Sequence, residues 1–195
     1  STGNVILSTL GTSGNVTLVN SVALGLGGTV SGDLSATATT GDISNPSALT
    51  VTGTSAFITA ADGSDVTLDH ASNAFTGGVT LKADTGGSET FGNVTFVNAG
   101  GIKLDADAGA AGDLFIDAGT DGAVGGTLSV TATTGNITQG VALNVTGTSG
   151  FTTSANDATI TLDTATNALG GNVTLSTAGT AGNVVLASGN ALAVQ

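Results

Sequence analysis

Apolar and polar residues alternate along this chain in short bursts. Val66-Thr67-Leu68-Asp69 is one of them. On an extended backbone Val66 and Leu68 point to one side, Thr67 and Asp69 to the other. The same beat is written as GNVIL, GNVTL, GDLSA, SDVTL, GGVTL, GDLFI and GNVVL, each opened by Gly, Asn, Asp or Ser. It returns every ~8–12 residues, the spacing of many short strands joined by tight turns. Thr and Val are strand formers because their branched β-carbons pack well on a pleated surface. No window carries a sustained helical stripe, and the recurring Gly would cost ~1 kcal/mol each inside a helix. The pattern predicts an all-β chain.

A longer period lies over the short one. Leu34–Leu81 recurs without a gap as Leu128–Leu175, with more than half of the positions identical. LSATATTG becomes LSVTATTG, and VTLDHASNAFTGGVTL becomes ITLDTATNALGGNVTL. A second pairing joins Gly3–Leu24 to Gly171–Leu192, and a third version runs from Gly77 to Phe96. Sandwiches and solenoids both use many short strands. A sandwich wants aromatic filler and strands that do not repeat. A solenoid stacks equivalent residues ~4.8 Å apart, so a residue type that suits one rung suits the next. The sequence therefore predicts a β-solenoid. With two beats in a rung of ~20 residues, it holds about nine or ten rungs and spans roughly 45 Å. Residues 1–195 read as a single segment of this solenoid, a fragment of a longer repetitive chain, because the opening STGNVILSTLG is already in strand pattern and no signal peptide precedes it.

Composition narrows the interior. The aromatic residues are six Phe, with no Tyr and no Trp. A globular core usually needs large side chains, whereas Val, Leu, Ile, Ala and Thr suit a narrow, layered one. Gly makes up 32 of the 195 residues. Gly and Asn are expected at corners, where left-handed backbone angles are needed. Asn15, Asn93 and Asn172 stand in Asn-Val-Thr sequons for the same reason: GNVT is the turn-plus-strand unit itself. The net charge of −12, from 14 acidic residues against two Lys, argues against a nucleic-acid partner and against anionic membrane surfaces. No apolar run approaches the ~18 residues of a membrane helix, so membrane insertion is not expected. The lack of Cys removes disulfides and thiolate chemistry.

The run GNVTL, GDLSATATTGDIS, ALTVTGTSAF and SDVTLDHASNAFTGGVTL resembles the repeat region of filamentous-haemagglutinin-like bacterial exoproteins, large adhesins typically exported by two-partner secretion. The resemblance covers essentially the whole chain and rests on repeat style. It implies a right-handed parallel β-helix, secretion to the cell surface, and a role as the structural shaft of a fibre or adhesin. The partners it implies are the chain itself, end to end or through the rest of its own sequence, and a host or cell-surface glycan or protein. It carries no catalytic residues to this chain.

Candidate chemistry is sparse. His70 is the single His, and Thr164 takes its place in the other copy within an unchanged LDxA frame. It reads as a solvated surface residue, since a ligand or base needs convergent partners. Asp69 recurs as Asp163, but so do the Thr, Leu and Ala around them, which points to a structural cause. No enzymatic activity and no resident cofactor are expected. The most chemical stretch is KLDADAGAAGDLFIDAGTDG, which gathers Asp105, Asp107, Asp113, Asp117 and Asp121. Its DADAG resembles the start of a calcium loop but lacks the closing bidentate Glu. Strand parity turns Ile102, Leu104 and Ala106 inward and Lys103, Asp105 and Asp107 outward. A solvated acidic face is the leading reading and weak calcium binding the competing one. The Thr-X-Thr arrays at Thr37–Thr39 and Thr50–Thr52 suggest an alternative function, a solenoid recognising ice or carbohydrate through a Thr-rich face. Against it, these threonines are spread over several units rather than held at one position of every rung.

Overall fold

The structure is a computed structural model that describes residues 4–83, 92–117 and 124–195, with Asp117 described by its backbone alone. Strands follow one another with no helix among the described residues. The chain opens with β1 (Asn4–Ser8), β2 (Val16–Asn20), β3 (Leu24–Val30) and β4 (Leu34–Ala38). Then come β5 (Ile43–Ser44), β6 (Leu49–Val51), β7 (Ser55–Thr59), β8 (Val66–Leu68), β9 (Ala74–Phe75) and β10 (Val79–Lys82). The middle holds β11 (Val94–Asn98), β12 (Ile102–Leu104) and β13 (Asp113–Asp117). The second repeat copy supplies β14 (Leu128–Ala132), β15 (Ile137–Gln139), β16 (Asn144–Val145) and β17 (Ser149–Asn156). It continues through β18 (Ile160–Leu162), β19 (Ala168–Leu169) and β20 (Asn172–Ala178), followed by β21 (Val184–Leu186) and β22 (Ala193–Val194).

The fold is the expected all-β, parallel β-solenoid. A nine-stranded sheet runs β2-β4-β7-β10-β13-β12-β15-β18-β21. An eleven-stranded sheet runs β22-β20-β17-β14-β11-β8-β5-β3, where β1 and the branch β6-β9 also attach to β3. All of these pairings are parallel. Nine strands ~4.8 Å apart make a stack of about 40 Å. Four turns differ from the expected two beats: beside two long-sheet strands they carry a third, short strand, β6, β9, β16 or β19. Leu34, Ser55 and Val79 stand at one register position, so a turn takes about 21–24 residues.

Strand parity is clean in β4, β7, β10, β11 and β14, whereas in β3 the residues of both parities from Leu24 to Gly27 are buried. Val66 and Leu68 are buried, while Thr67 is half-buried and Asp69 exposed. The interior is aliphatic for most of its length but not free of aromatic filler. Phe57, Phe75, Phe96 and Phe151 are buried, and the first three contact one another with ring centroids 5.8 and 5.4 Å apart.

The Asn or Asp that precedes β2, β4, β5, β8 and β11 explains the recurring GN and GD. Its side-chain oxygen accepts a backbone N–H from the next turn. Asn15 Oδ1 accepts the N–H of Asp33 at 2.8 Å, and Asp33 Oδ1 accepts that of Thr54 at 2.8 Å. On the other long sheet Asp42 accepts from Asp65, Asp65 from Asn93, and Asn93 from Thr127. The expected use of Asn for left-handed angles is therefore corrected. Among the described residues positive φ belongs to Gly and to Asp157, and Asn acts through its side chain instead.

The two repeat copies lie on opposite long faces. β4, β7 and β10 belong to the nine-stranded sheet, and their counterparts β14, β17 and β20 to the eleven-stranded one. The exchange takes place across β11–β13, where β13 slots between β10 and β12 although it follows β12 in the chain.

Candidate functional site

The face exchange builds one regular surface. Outward positions of the eleven-stranded sheet align Ser44, Thr67, Thr95, Ser129, Gly150 and Thr174 in a single column. Five of these six successive strands present a hydroxyl. A second column, two residues further along the strands, holds Val97, Thr131, Thr152 and Ser176. Neighbours are ~4.8 Å apart across strands and ~7 Å apart along them. These side chains are half-exposed or exposed, and no hydrogen bond to another described residue ties the hydroxyls down. The sequence hid this column because Thr67 and Ser129 occupy different positions of the repeat and meet only after the faces exchange. The nine-stranded sheet has no such column: there Thr17, Ser35, Ala56, Thr80 and Phe115 succeed one another.

The acidic segment is organised around Lys103 rather than around a void. Lys103 forms an ion pair with Asp105 and lies 3.9 Å from Asp113, its register partner across β12 and β13. Asp113 is buried, 7% exposed, which corrects the expected solvated face at that residue. Its Oδ2 accepts the N–H of Ala110 at 2.8 Å. Asp107 is exposed and accepts the N–H of Gly109 at 3.1 Å. Ala106, expected inward, is exposed, because β12 ends at Leu104 and the chain leaves the sheet there. The Asp117 side chain and Asp121 lie outside the described residues. Among the described residues no three His, Asp or Glu side chains converge as a metal site. Unfolding midpoints with chelator and with millimolar calcium are expected to coincide. A large upward shift with calcium, removed by Asp105→Asn with Asp107→Asn, would overturn that expectation.

The Lys103 ammonium, by its hydrogen bond, and then the Ala106 N–H hold the Asp105 carboxyl below its ordinary value. The same hydrogen bond raises Lys103. A carboxylate depressed in the folded state stabilises above its unfolded value of about 3.9, and that contribution is lost as pH falls through the folded value. A raised Lys stabilises below about 10.4 and loses its contribution as pH rises through the folded value. Both groups are open to solvent, so the gain is small. Lys103→Met is expected to move the Asp105 titration, followed by carboxyl-carbon NMR, up toward the ordinary carboxylate range. An unmoved titration would dismiss the pair.

His70 is half-buried in the turn between β8 and β9, where its Nδ1 accepts the N–H of Ser72 at 3.1 Å. The turn does not need the imidazole. The Asn73 N–H donates to the His70 carbonyl, and in the other copy the Asn167 N–H donates to the Thr164 carbonyl. An apolar cavity of about 250 Å³ lies against Leu104, Leu114, Leu128, Leu143 and Val145, with Asp105 the one charged side chain among its described lining residues. That carboxylate is already committed to Lys103.

The signal missed in the sequence is internal. Asn73 and Asn167, at equivalent positions of the two copies, are fully buried at the corner before the third strand. The LDxAxNA frame around both was read only as repetition.

The comparisons agree with this picture of a repeat. No curated protein and no solved structure matches the chain. A family described as "Repeats of unknown function (DUF5649)" matches residues 13–82 and 91–176, two stretches whose last residues are related by the same shift that joins the repeat copies. Together they cover most of the sequence, each holding one long-repeat copy with its three faces, and the chain belongs to this family of repeats.

Proposed function

We propose that this chain is a structural shaft segment of an extracellular bacterial fibre or adhesin. One observation carries the reading: the polar side chains that recur in the repeat are spent on joining one turn to the next. Asp33, Asp65 and Asn93 each bond the turn above, and the buried Asn73 joins the strands of adjacent turns. Such a repeat extends a rod and displays whatever the rod carries, and activity resides elsewhere or nowhere. The filamentous-haemagglutinin-like repeat style of GDLSATATTGDIS and SDVTLDHASNAF supports secretion to the cell surface. Immunogold electron microscopy of native cells with antibody to this segment tests it. Label along surface filaments is expected, and label confined to the cytoplasm would sink the proposal.

A second reading is favoured by the hydroxyl columns on the eleven-stranded sheet. Regularly spaced Thr and Ser hydroxyls on a flat, rigid surface suit an ordered water lattice or the hydroxyls of a carbohydrate. Thermal hysteresis and a glycan array examine the two ligands. A positive result abolished by Thr95→Tyr with Thr131→Tyr would favour this reading over the shaft.

A further inference from the structure

The short third strand changes edge in the middle of the stack. In the first copy it follows the eleven-stranded sheet and precedes the nine-stranded one, as in β5-β6-β7 and β8-β9-β10. In the second copy it follows the nine-stranded sheet, as in β15-β16-β17 and β18-β19-β20. Strands within each long sheet are parallel, so the chain circles in one sense throughout, and the short strands of the two copies lie at opposite edges. At the changeover β12 leads to β13 with no short strand between them, and Val124, bridged to Val145, begins the second set.

The large filler of the interior is interrupted at the same level. Phe96 and Phe151 are buried in the eleven-stranded sheet, with Val130 between them in register. In the nine-stranded sheet Leu114 and Leu104 follow Val79, and Phe115 faces outward, half-buried. The cavity of about 250 Å³ lies here, against Leu104 and Leu114 of one sheet, Leu128 of the other, and Val124, Leu143 and Val145 at the edge. All but the half-buried Leu143 are buried. Ala106 and Ala142, which also line it, are exposed, so it reaches solvent between them.

The lining favours an apolar occupant over water. A buried water needs two to four polar partners, and the lining backbone is already paired. Leu143 donates to Asn167 and accepts from Ala168, Val124 donates to Asn144 and accepts from Thr146, and Leu104 accepts from Gly140. The Asp105 carboxylate is taken by Lys103 and the Ala106 N–H. An aliphatic cavity of about 150 Å³ stays dry and takes up benzene, so this one has room for a somewhat larger molecule. Left empty, its walls forfeit the dispersion contacts that packed side chains make. The charge beside it is negative: Lys103 stands among Asp105, Asp107 and Asp113.

We propose that this cavity is a binding site for a small neutral apolar molecule, an alkyl chain or hydrocarbon ring somewhat larger than benzene, admitted past Ala106 and Ala142. The site does not depend on the shaft reading. The acidic rim selects against an anionic head group on the same chain.

Methyl-labelled protein titrated with benzene, 1-hexanol and hexanoate tests it by NMR. Benzene and hexanol are expected to shift the Leu104, Leu128 and Leu143 methyl resonances saturably and to raise the unfolding midpoint. Hexanoate at pH 7 is expected to bind about tenfold or more weakly, because its carboxylate meets the acidic rim. Leu143→Phe fills the space, and is expected to raise the midpoint of the free protein and to abolish both responses. Ala142→Trp, at an exposed position, is expected to block entry without touching the interior. Far-UV circular dichroism checks that both variants fold. Flotation with neutral phosphatidylcholine vesicles separates two sources of the ligand. Co-flotation lost in Leu143→Phe marks the acyl chain of a lipid, and hexanol uptake without co-flotation marks a free small molecule. No saturable shift with benzene or hexanol, equal uptake of hexanoate, or shifts that persist in both variants would overturn the proposal.

Discussion

Replacing Leu68 by Asp is expected to cost the protein ~4 kcal/mol or more, enough to open the stack around β8. Leu68 is 0% exposed and stands opposite Phe96 in register. Phe96 packs on Phe75, which meets Phe57 edge-on, so the substitution puts a carboxylate against the aromatic centre of the interior. The carboxylate must either stay charged without water or take up a proton, and both are costly. One residue on, Asp69 points into solvent, and Asp69→Ala is expected to change stability by less than ~0.5 kcal/mol. Leu162 and Asp163 repeat the contrast in the second copy, one buried and one exposed. Urea unfolding of the four variants measures it. Rungs touch only their neighbours, so amide-exchange protection in Leu68→Asp should fall first in β5 and β11, which flank β8. Equal losses at both parities would mean that the faces are misassigned.

That parity was legible because it is local: alternation within five residues says which side chains go in, whatever the strand later pairs with. The solenoid was legible from the repeat, because stacked equivalents favour like residues. Features that arise between turns were not. The oxygen of Asp33 meets a residue 21 positions away, and that of Asn93 one 34 positions away. No local pattern fixes such partners, although the recurrence of Asn or Asp directly before a strand marks the acceptor once the stack is known. The order of β12 and β13 was equally hidden. Both read as ordinary strands, and nothing in IKL or DLFID says that the later one is laid down first in the sheet. The hydroxyl column followed from that same crossing. Thr67 and Ser129 belong to different repeat positions and fall into one column, on either side of Thr95, because the copies change faces. At Ala106 parity itself failed, since alternation constrains a side chain only while the backbone stays in a strand.

The buried Asn corner carries the second large effect. Asn73 Oδ1 accepts the Nδ2 of Asn45 at 2.6 Å and the N–H of Leu49 at 3.0 Å, while its Nδ2 donates to the Leu68 carbonyl at 3.1 Å. One turn on, Asn98 accepts the N–H of Phe75 at 2.9 Å and donates back to its carbonyl at 3.3 Å. In the second copy Asn167 accepts from Leu143 and donates to the Leu162 and Ala187 carbonyls, with Gln139 in the place of Asn45. Asn73→Leu keeps the branched shape, with two methyl groups in place of the amide atoms, and removes every one of these bonds. It leaves the Leu49 N–H, the Leu68 carbonyl and the Asn45 amide without that partner inside the protein, which is expected to cost ~3 kcal/mol. Asn73→Asp keeps the acceptors but buries a charge and loses the donor. Burial raises such a carboxyl above its unfolded value, so the loss of stability is full at neutral pH and shrinks as pH falls and the protonated group donates to Leu68. Asn172, exposed at the start of β20, serves as the control, and Asn172→Ala should shift stability by less than ~0.5 kcal/mol. Urea unfolding at pH 7 and pH 4 separates the cases. If Asn73→Leu unfolds with the wild type, the corner is held by aliphatic packing alone and the amide ladder contributes nothing to it.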